Sequence, residues 1–322
     1  MINDARWQDL QKNLGPHGRL GIAARLFTSD RRPYADIAFN ADQKFPMASI
    51  AKIPIAMLAS ERIAERELSL DEQMDVDSLS LSPGLAKSPL DHLFYVPFKL
   101  RRAESIGKLM GFMIHNSDNT STDLLLQRLG GMDAISAFLE RLNIKGMHMK
   151  RRFAELIANY YTLKLPLGRR PHLGQIVAAI RRLRNPYVCR EEREDALILS
   201  GEDCCTPRSM VDLLCALFQN PSYDVAFSYM DNCAGGLNRI RKGLSEQTSV
   251  IHRFGHKTGS LGGIANDAGI VQFLDGSVAA ICIMTCRSSA PMTIRDEQIA
   301  AATRTIITEA ARHVVDPASE SR

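Results

Sequence analysis

A chain of 322 residues with 45% apolar and 24% charged residues is long enough for one large domain or two closely packed ones, and its composition excludes a disordered, collagen-like or disulfide-scaffold polypeptide. The longest uninterrupted apolar runs, such as Ile55 to Ala59 and Val278 to Met284, fall far short of the ~20 residues that span a bilayer, so no membrane partner is expected. The formal charge is only +4, but Lys150 to Arg193 holds eleven Lys or Arg against three Glu, a local +8 that leaves the rest at −4.

Trp7, Leu10 and Leu14 recur at the spacing of a short amphipathic helix over about Ala5 to Leu14, where a secretion signal would need a basic start and an apolar core. The expectation is a cytoplasmic protein if the N-terminus is native, and a periplasmic or secreted one if a signal has been removed. Two strands follow, Arg19 to Phe27 and Ala35 to Phe39, joined through Ser29, Asp30 and Pro33. A long helical block comes next: Ser49 to Glu67, Glu104 to Ile114, Asn119 to Leu129 stopped by Gly130 and Gly131, Met132 to Leu142, and Pro207 to Phe218. Strands return at Ser249 to Gly255, Ala268 to Phe273 and Ser277 to Cys286, the last two turning at Asp275 and Gly276. A helix over about Ile294 to His313 closes the pattern, and the tail after Val315 reads as frayed. Five strands split between the two ends predict an α/β (α+β) protein: an antiparallel five-stranded sheet flanked by helices, with an all-helical domain inserted. The expected division is 1–48 and 220–322 for the sheet domain and 49–219 for the helical one.

Seven cysteines, with Cys204 and Cys205 adjacent, cannot complete a disulfide framework, which favours a reducing compartment and buried free thiols. His252 and His256 are four apart on an expected strand, roughly 13 Å, and Cys282 and Cys286 are equally far, too distant to share an ion. No metal and no other cofactor are expected.

Three short stretches carry chemistry. Ser49-Ile-Ala-Lys52 opens an apolar helix, where residues three apart are neighbours, so a Lys sharing its proton can act as base toward the Ser hydroxyl. About one such match is expected by chance in a chain this long, and Ser105-Ile-Gly-Lys108 is a second, discounted because it is expected mid-helix. Ser117-Asp118-Asn119 stands at a helix start; capping alone would favour these residue types, whereas a functional reading lets the Ser117 hydroxyl relay a proton to a leaving nitrogen and the Asn119 amide hold a substrate amide. Lys257-Thr258-Gly259-Ser260 lies on an expected edge strand before Gly262 and Gly263. It reads either as a solvated edge or as a place where a ligand pairs with the strand and sets its carboxylate on the lysine. A Ser-Asp-Asn and a Lys-Thr-Gly are each expected roughly 0.05 times by composition. Their joint occurrence in this order is below about one in a hundred as an accident.

Together the three triplets resemble the motifs of the class A β-lactamases and penicillin-binding proteins. The likeness extends to Phe45-Pro-Met-Ala-Ser-Ile-Ala-Lys-Ile, Ser117-Asp-Asn-Thr-Ser-Thr-Asp-Leu-Leu-Leu and Asn238-Arg-Ile-Arg-Lys-Gly-Leu, and covers nearly the whole chain except about residues 160 to 202. The resemblance implies a serine hydrolase that opens a β-lactam or related amide through an acyl-enzyme on Ser49, with Lys52 and Ser117 moving protons. It implies an oxyanion hole from the backbone N–H groups of Ser49 and Ser260, and substrate contacts at Asn119, Lys257, Thr258 and Gly259. Arg239 matches an arginine that supports the carboxylate-binding lysine in many members, so a small-molecule substrate with an acid group is expected.

Class A enzymes also use a glutamate that activates water, with an Asn four residues on and an Arg and an Asp tying the loop's neck. Glu155 and Asn159 reproduce that spacing, Asp203 matches the neck Asp, and Arg152 is its expected partner. Between them stands an insertion with no counterpart in the family, holding an expected helix from Gly174 to Arg184 and much of the local charge. Counting back from Pro207 places Glu191 or Glu192 near the base position without the Asn; Glu155 is preferred because the approach from Ser117 needs a smaller change of length. The basic insertion, at about 160–202, reads either as solvated arginine or as a lid that selects an acidic substrate or docks an acidic protein partner. No interleaved aromatics support a nucleic-acid partner, and His115 and His256 are expected to be structural. Two alternatives remain: a cytoplasmic biosynthetic amidase, esterase or acyl transferase on an acidic substrate other than a β-lactam, and a non-hydrolytic penicillin-binding sensor.

Overall fold

The computed structural model describes residues 4–77, 80–84, 88–96, 101–164 and 172–315. In chain order, helix α1 (Asp4–Lys12) precedes the hairpin of β1 (Arg19–Phe27) and β2 (Pro33–Phe39). The two-residue β3 (Phe45–Pro46) and a 3-10 turn over Ala48–Ala51 then lead into α2 (Lys52–Ala64). β4 (Gln73–Asp77) and β5 (Arg101–Ser105) pair, with a 3-10 helix over Asp91–Tyr95 between them. The helices α3 (Ile106–His115), α4 (Asn119–Leu129) and α5 (Gly131–Arg141) lead through β6 (Met147–His148) to α6 (Phe153–Tyr160), α7 (Leu173–Leu183) and α8 (Glu191–Ser200). After β7 (Cys204–Cys205) come α9 (Pro207–Gln219), α10 (Asp224–Asp231) and α11 (Ile240–Gly243), then β8 (Ile251–Leu261), β9 (Ile264–Phe273), β10 (Val278–Cys286) and α12 (Met292–Val315). The expected frayed tail beyond Val315 and residues 165–171 of the expected insertion lie outside the described residues.

The chain divides into two units, and the division differs from the expected one. The sheet unit holds the residues through Ile50, Tyr187–Cys215, and those from Gly236 onward, whereas the helical unit holds Ala51–Pro186 and Ala216–Gly235. The second half of the expected insertion therefore packs with the sheet, because its α8 buries an acid there.

In the sheet unit five strands run in the order β2-β1-β10-β9-β8, and every neighbouring pair is antiparallel. The apolar residues of β10 are buried along its whole length because it lies at the centre, with strands on both sides. Its inner face packs Ile281 and Ile283 with Ile22, Trp7 and the α12 residues Ile299 and Ile306. Each such side chain contributes about 1.5 to 3 kcal/mol by leaving water. The edge strands are β2 and β8, and β8 carries Lys257 to Ser260, as the sequence pattern requires.

In the helical unit α2 is the central element, buried at every position from Lys52 to Glu61. A helix apolar on all sides needs neighbours on all sides, and its polar exceptions are matched: Ser60 Oγ donates to Ser222 O at 2.8 Å, and Glu61 takes both guanidinium arms of Arg141. Helix α4 ends where Gly130 enters the left-handed region at φ 101°. Ser105, expected mid-helix, is instead the N-cap of α3 and accepts from Lys108 N at 3.3 Å, which explains the second Ser-x-x-Lys match without catalysis.

Candidate active site

Within the sheet unit, Ser49 sits on the 3-10 turn that leads to α2, and from Phe45 to Glu61 it is the one residue that is not fully buried. The preceding backbone is forced: Ala48 lies in the left-handed region at φ 47°, a conformation that costs energy for a residue with a Cβ. Neighbouring groups hold it there. Met47 N donates to Asp203 O at 3.0 Å, and the amide of Asn266 donates to Pro46 O and Met47 O at 2.9 and 3.0 Å while its oxygen accepts from Thr285 N. Asn266 was not legible in advance, because a single Asn just before the strand expected from Ala268 carries no spacing signal.

Edge strand β8 passes directly over the Ser49 backbone. A Cβ built on Gly259 would lie 2.8 Å from Met47 O, 3.0 Å from Ser49 N and 3.1 Å from Ile50 N, so only glycine fits. Lys257 is buried and its Nζ donates to Thr258 O at 2.9 Å; Thr258 and Ser260 are partly exposed. Arg239 is buried too, and it braces this strand. Its guanidinium donates to Gly259 O (3.1 Å), Asn266 O (2.8 Å) and Ser260 Oγ (2.6 Å) and pairs with Asp296 at 2.7 Å. Its donors are committed to the protein, so Arg239 acts through Ser260 and the Gly259 carbonyl. His256, on the neighbouring position of β8, pairs with buried Asp267 at 2.9 Å, and Asp267 in turn accepts from Ile240 N to seat α11.

Within the helical unit, the Lys52 ammonium is wholly buried, donating to Ser117 O at 2.7 Å, Asn119 Oδ1 at 2.8 Å and Ser117 Oγ at 3.2 Å, with its Nζ 4.5 Å from the centre of the Phe153 ring. Ser117, at φ 58°, is held left-handed so that its carbonyl and its hydroxyl both face the lysine. Asp118 caps α4 by accepting from Ser121 N at 2.8 Å, and the Asn119 amide donates to Pro83 O at 3.1 Å. The capping reading is seen at Asp118, whereas Ser117 and Asn119 turn their oxygens to Lys52. Burial and the facing Asp118 carboxylate push Asp91 up to about 8, although Asn119 N, Thr120 N and the Lys52 charge oppose the shift.

Asp123 was also missed. One turn after Asn119 on α4, it is fully buried and accepts from Phe153 N at 2.7 Å, Ala154 N at 2.8 Å and Ser82 Oγ at 2.7 Å. It thereby satisfies the first amides of α6 and ties that helix to α4, and burial raises its carboxyl above the usual range. Glu155, half exposed on the first turn of α6, accepts from Arg152 N at 3.3 Å and pairs with the Arg152 guanidinium at 3.5 Å. Arg152 thus has Glu155 as an ion-pair partner in its own unit, where the sequence led us to expect Asp203. Asn159 is exposed one helical turn on.

The competing acids Glu191 and Glu192 stand on the first turn of α8 in the sheet unit, Glu191 3.8 Å from Arg287 and Glu192 exposed. Their neighbour Glu194 is buried, accepting from Gly263 N at 2.7 Å and Arg287 N at 2.5 Å, while Arg295 donates to Gly262 O and Tyr187 O, each at 2.6 Å. The segment from Tyr187 therefore clamps the turn between β8 and β9, immediately after Ser260. Glu194→Ala is expected to lower unfolding free energy by about 2 to 4 kcal/mol, since two buried N–H groups lose a charged acceptor; a urea melt within 0.5 kcal/mol of wild type would contradict this clamp.

The beta-lactamase enzyme family matches residues 6–316, and the chain belongs to that family. Among curated relatives, the beta-lactamase VEB-1 of Pseudomonas aeruginosa is 24% identical over 88% of this chain and 82% of its own length. A beta-lactamase of Bacteroides uniformis is 23% identical over 81% of this chain and 76% of its own. The solved structure of an ancestral (GNCA) class A beta-lactamase superposes with a TM-score of 0.69 at 24% identity, covering 95% of this chain and 98% of that one, which establishes the class A fold.

Proposed function

We propose that this protein is a serine β-lactamase of class A type. The observation that carries the reading is the buried Lys52 ammonium, held by the Ser117 and Asn119 oxygens and placed three residues after Ser49, the one half-buried residue of an otherwise buried stretch. In the proposed reaction Ser49 Oγ bonds to the lactam carbonyl carbon and its proton passes to Lys52, while the N–H groups of Ser49 and Ser260 stabilise the oxyanion. The ring C–N bond then breaks, and the nitrogen receives a proton through the Ser117 hydroxyl. Water, deprotonated by Glu155, next attacks the ester carbonyl, and Ser49 Oγ leaves and regains its proton. Lys257 and Thr258 would hold a substrate carboxylate, which fits a small molecule with an acid group.

Hydrolysis of a chromogenic cephalosporin by the wild-type protein, absent in Ser49→Ala, is the expected result; equal rates for the two proteins would overturn the reading. Glu155→Gln is expected to acylate normally and deacylate about a hundredfold more slowly or worse, because an amide cannot take a proton from water. Intact mass spectrometry would then show a persistent adduct on Ser49. Unchanged turnover would move the base to Glu191 or Glu192.

A further inference from the structure

Ser117, Asp118 and Asn119 are placed at Lys52 by a strained turn, so something must hold that turn. The first three amides of α4 have no intrahelical acceptors. Asp118, the N-cap, reaches only the third, Ser121 N. Asn119 N and Thr120 N donate instead to Asp91 Oδ1, both at 2.9 Å. The arrangement is reciprocal: Asp118 Oδ2 accepts from Leu90 N at 2.7 Å and Asp91 N at 3.0 Å, the start of the 3-10 helix that carries Asp91. Both acids are fully buried. The Asp91 carboxyl lies flat against Gly84, where a Cβ would fall 1.8 Å from Oδ2, and Tyr95 OH closes that loop by donating to Gly84 O at 2.7 Å.

We propose that Asp91 is a positioning residue for the acylation step: it clamps Asn119 N and Thr120 N, and so fixes the Asn119 and Ser117 oxygens around the Lys52 ammonium. The assignment rests on the hydrolase reading above. Asp91 touches no reacting atom and acts through Asn119 and Ser117.

Its charge state adds a second effect. The groups facing Asp91 are the Asp118 carboxylate, the Lys52 ammonium on α2, the Tyr95 hydroxyl on its own 3-10 helix and the positive end of α4. Burial and Asp118 keep Asp91 protonated near neutrality, in which form its carbonyl oxygen still accepts both amides. Ionised Asp91 would favour the charged form of Lys52, and by linkage a neutral Asp91 favours the uncharged amine that a base requires. The unfolded chain releases this proton in the ordinary carboxylate range, so native stability is lost as pH rises from there toward about 8.

The test places Asp91→Asn and Asp91→Ala in a Glu155→Gln background, where the adduct persists, and compares them with that background alone (wild type at residue 91), reading Ser49 acylation by benzylpenicillin from intact mass at pH 6 to 9 and melting temperature at pH 5 and 9. Asp91→Ala is expected to slow acylation about tenfold or more, and Asp91→Asn, which keeps the acceptor oxygen, to recover most of that loss at pH 6. Because Asn cannot ionise, the ratio of Asp91→Asn to wild-type acylation should rise between pH 7 and 9, and its melting temperature should gain on wild type more at pH 9 than at pH 5. Acylation by Asp91→Ala at the wild-type rate, or an Asp91→Asn profile parallel to wild type in both readouts, overturns the assignment; should Asp91→Ala not fold, the Asp91→Asn profile alone decides it. Absence of any adduct on the Glu155→Gln background, together with absence of cephalosporin turnover by the unaltered protein, overturns the hydrolase reading itself, a different result from an Asp91→Ala that acylates like its background.

Discussion

Lys52→Met is expected to abolish acylation of Ser49, with a fall of about a thousandfold or more in the rate at which a penicillin adds to the protein. The methionine side chain matches the length of the lysine stem and can lie on the Phe153 ring, 4.5 Å from the present Nζ, so the fold should survive. What disappears is the amine to which the proposed mechanism assigns the Ser49 proton. Lys52→Arg is the sharper control: it keeps a positive charge for Ser117 O and Asn119 Oδ1, yet a guanidinium stays protonated in proteins and cannot act as base. Rapid formation of a mass adduct in either folded variant would remove Lys52 from the chemistry.

Gly259→Ala should produce the second large effect, through the backbone alone. The added methyl would meet Met47 O, Ser49 N and Ile50 N at 2.8 to 3.1 Å, and all three are main-chain atoms that cannot rotate away. Either β8 moves outward or the Ser49 turn moves inward, and both shifts separate the Ser49 and Ser260 amides that the mechanism assigns to the oxyanion. A loss of about a hundredfold to a thousandfold in kcat/KM is expected, the range seen when one oxyanion donor is removed. The defect should fall on kcat more than on KM, because the oxyanion forms only as the carbonyl is attacked. Activity within threefold of wild type would mean that the strand and the turn are not the paired donors.

Reading the chain by itself located the strands of the sheet, most of the helices and the three triplets to which the proposed mechanism assigns chemistry, and for one reason: each is a local pattern. The apolar run of β10, the glycine stop after α4 and the Ser-x-x-Lys spacing depend on residues a few positions apart. The two-way reading of Ser117-Asp118-Asn119 could not be resolved at that level, since capping and catalysis use the same residue types; in the helical unit Asp118 caps α4 while Ser117 and Asn119 accept from Lys52. Arg239 was expected from the resemblance to support the carboxylate-binding Lys257, but its hydrogen bonds spend its donors on Gly259, Ser260, Asn266 and Asp296.

The tertiary structure alone decided which acids are buried and what they hold. Asp91, Asp123 and Glu194 are ordinary aspartate and glutamate in sequence, flanked by nothing that distinguishes them from surface charges. Each becomes a fixed acceptor only because backbone amides from a distant stretch are carried to it: α4 for Asp91, α6 for Asp123, the β8–β9 turn and the end of β10 for Glu194. Local order is written in neighbouring residues, whereas the desolvation that makes a carboxylate a fixed acceptor arises from distant chain segments that meet only when each unit folds.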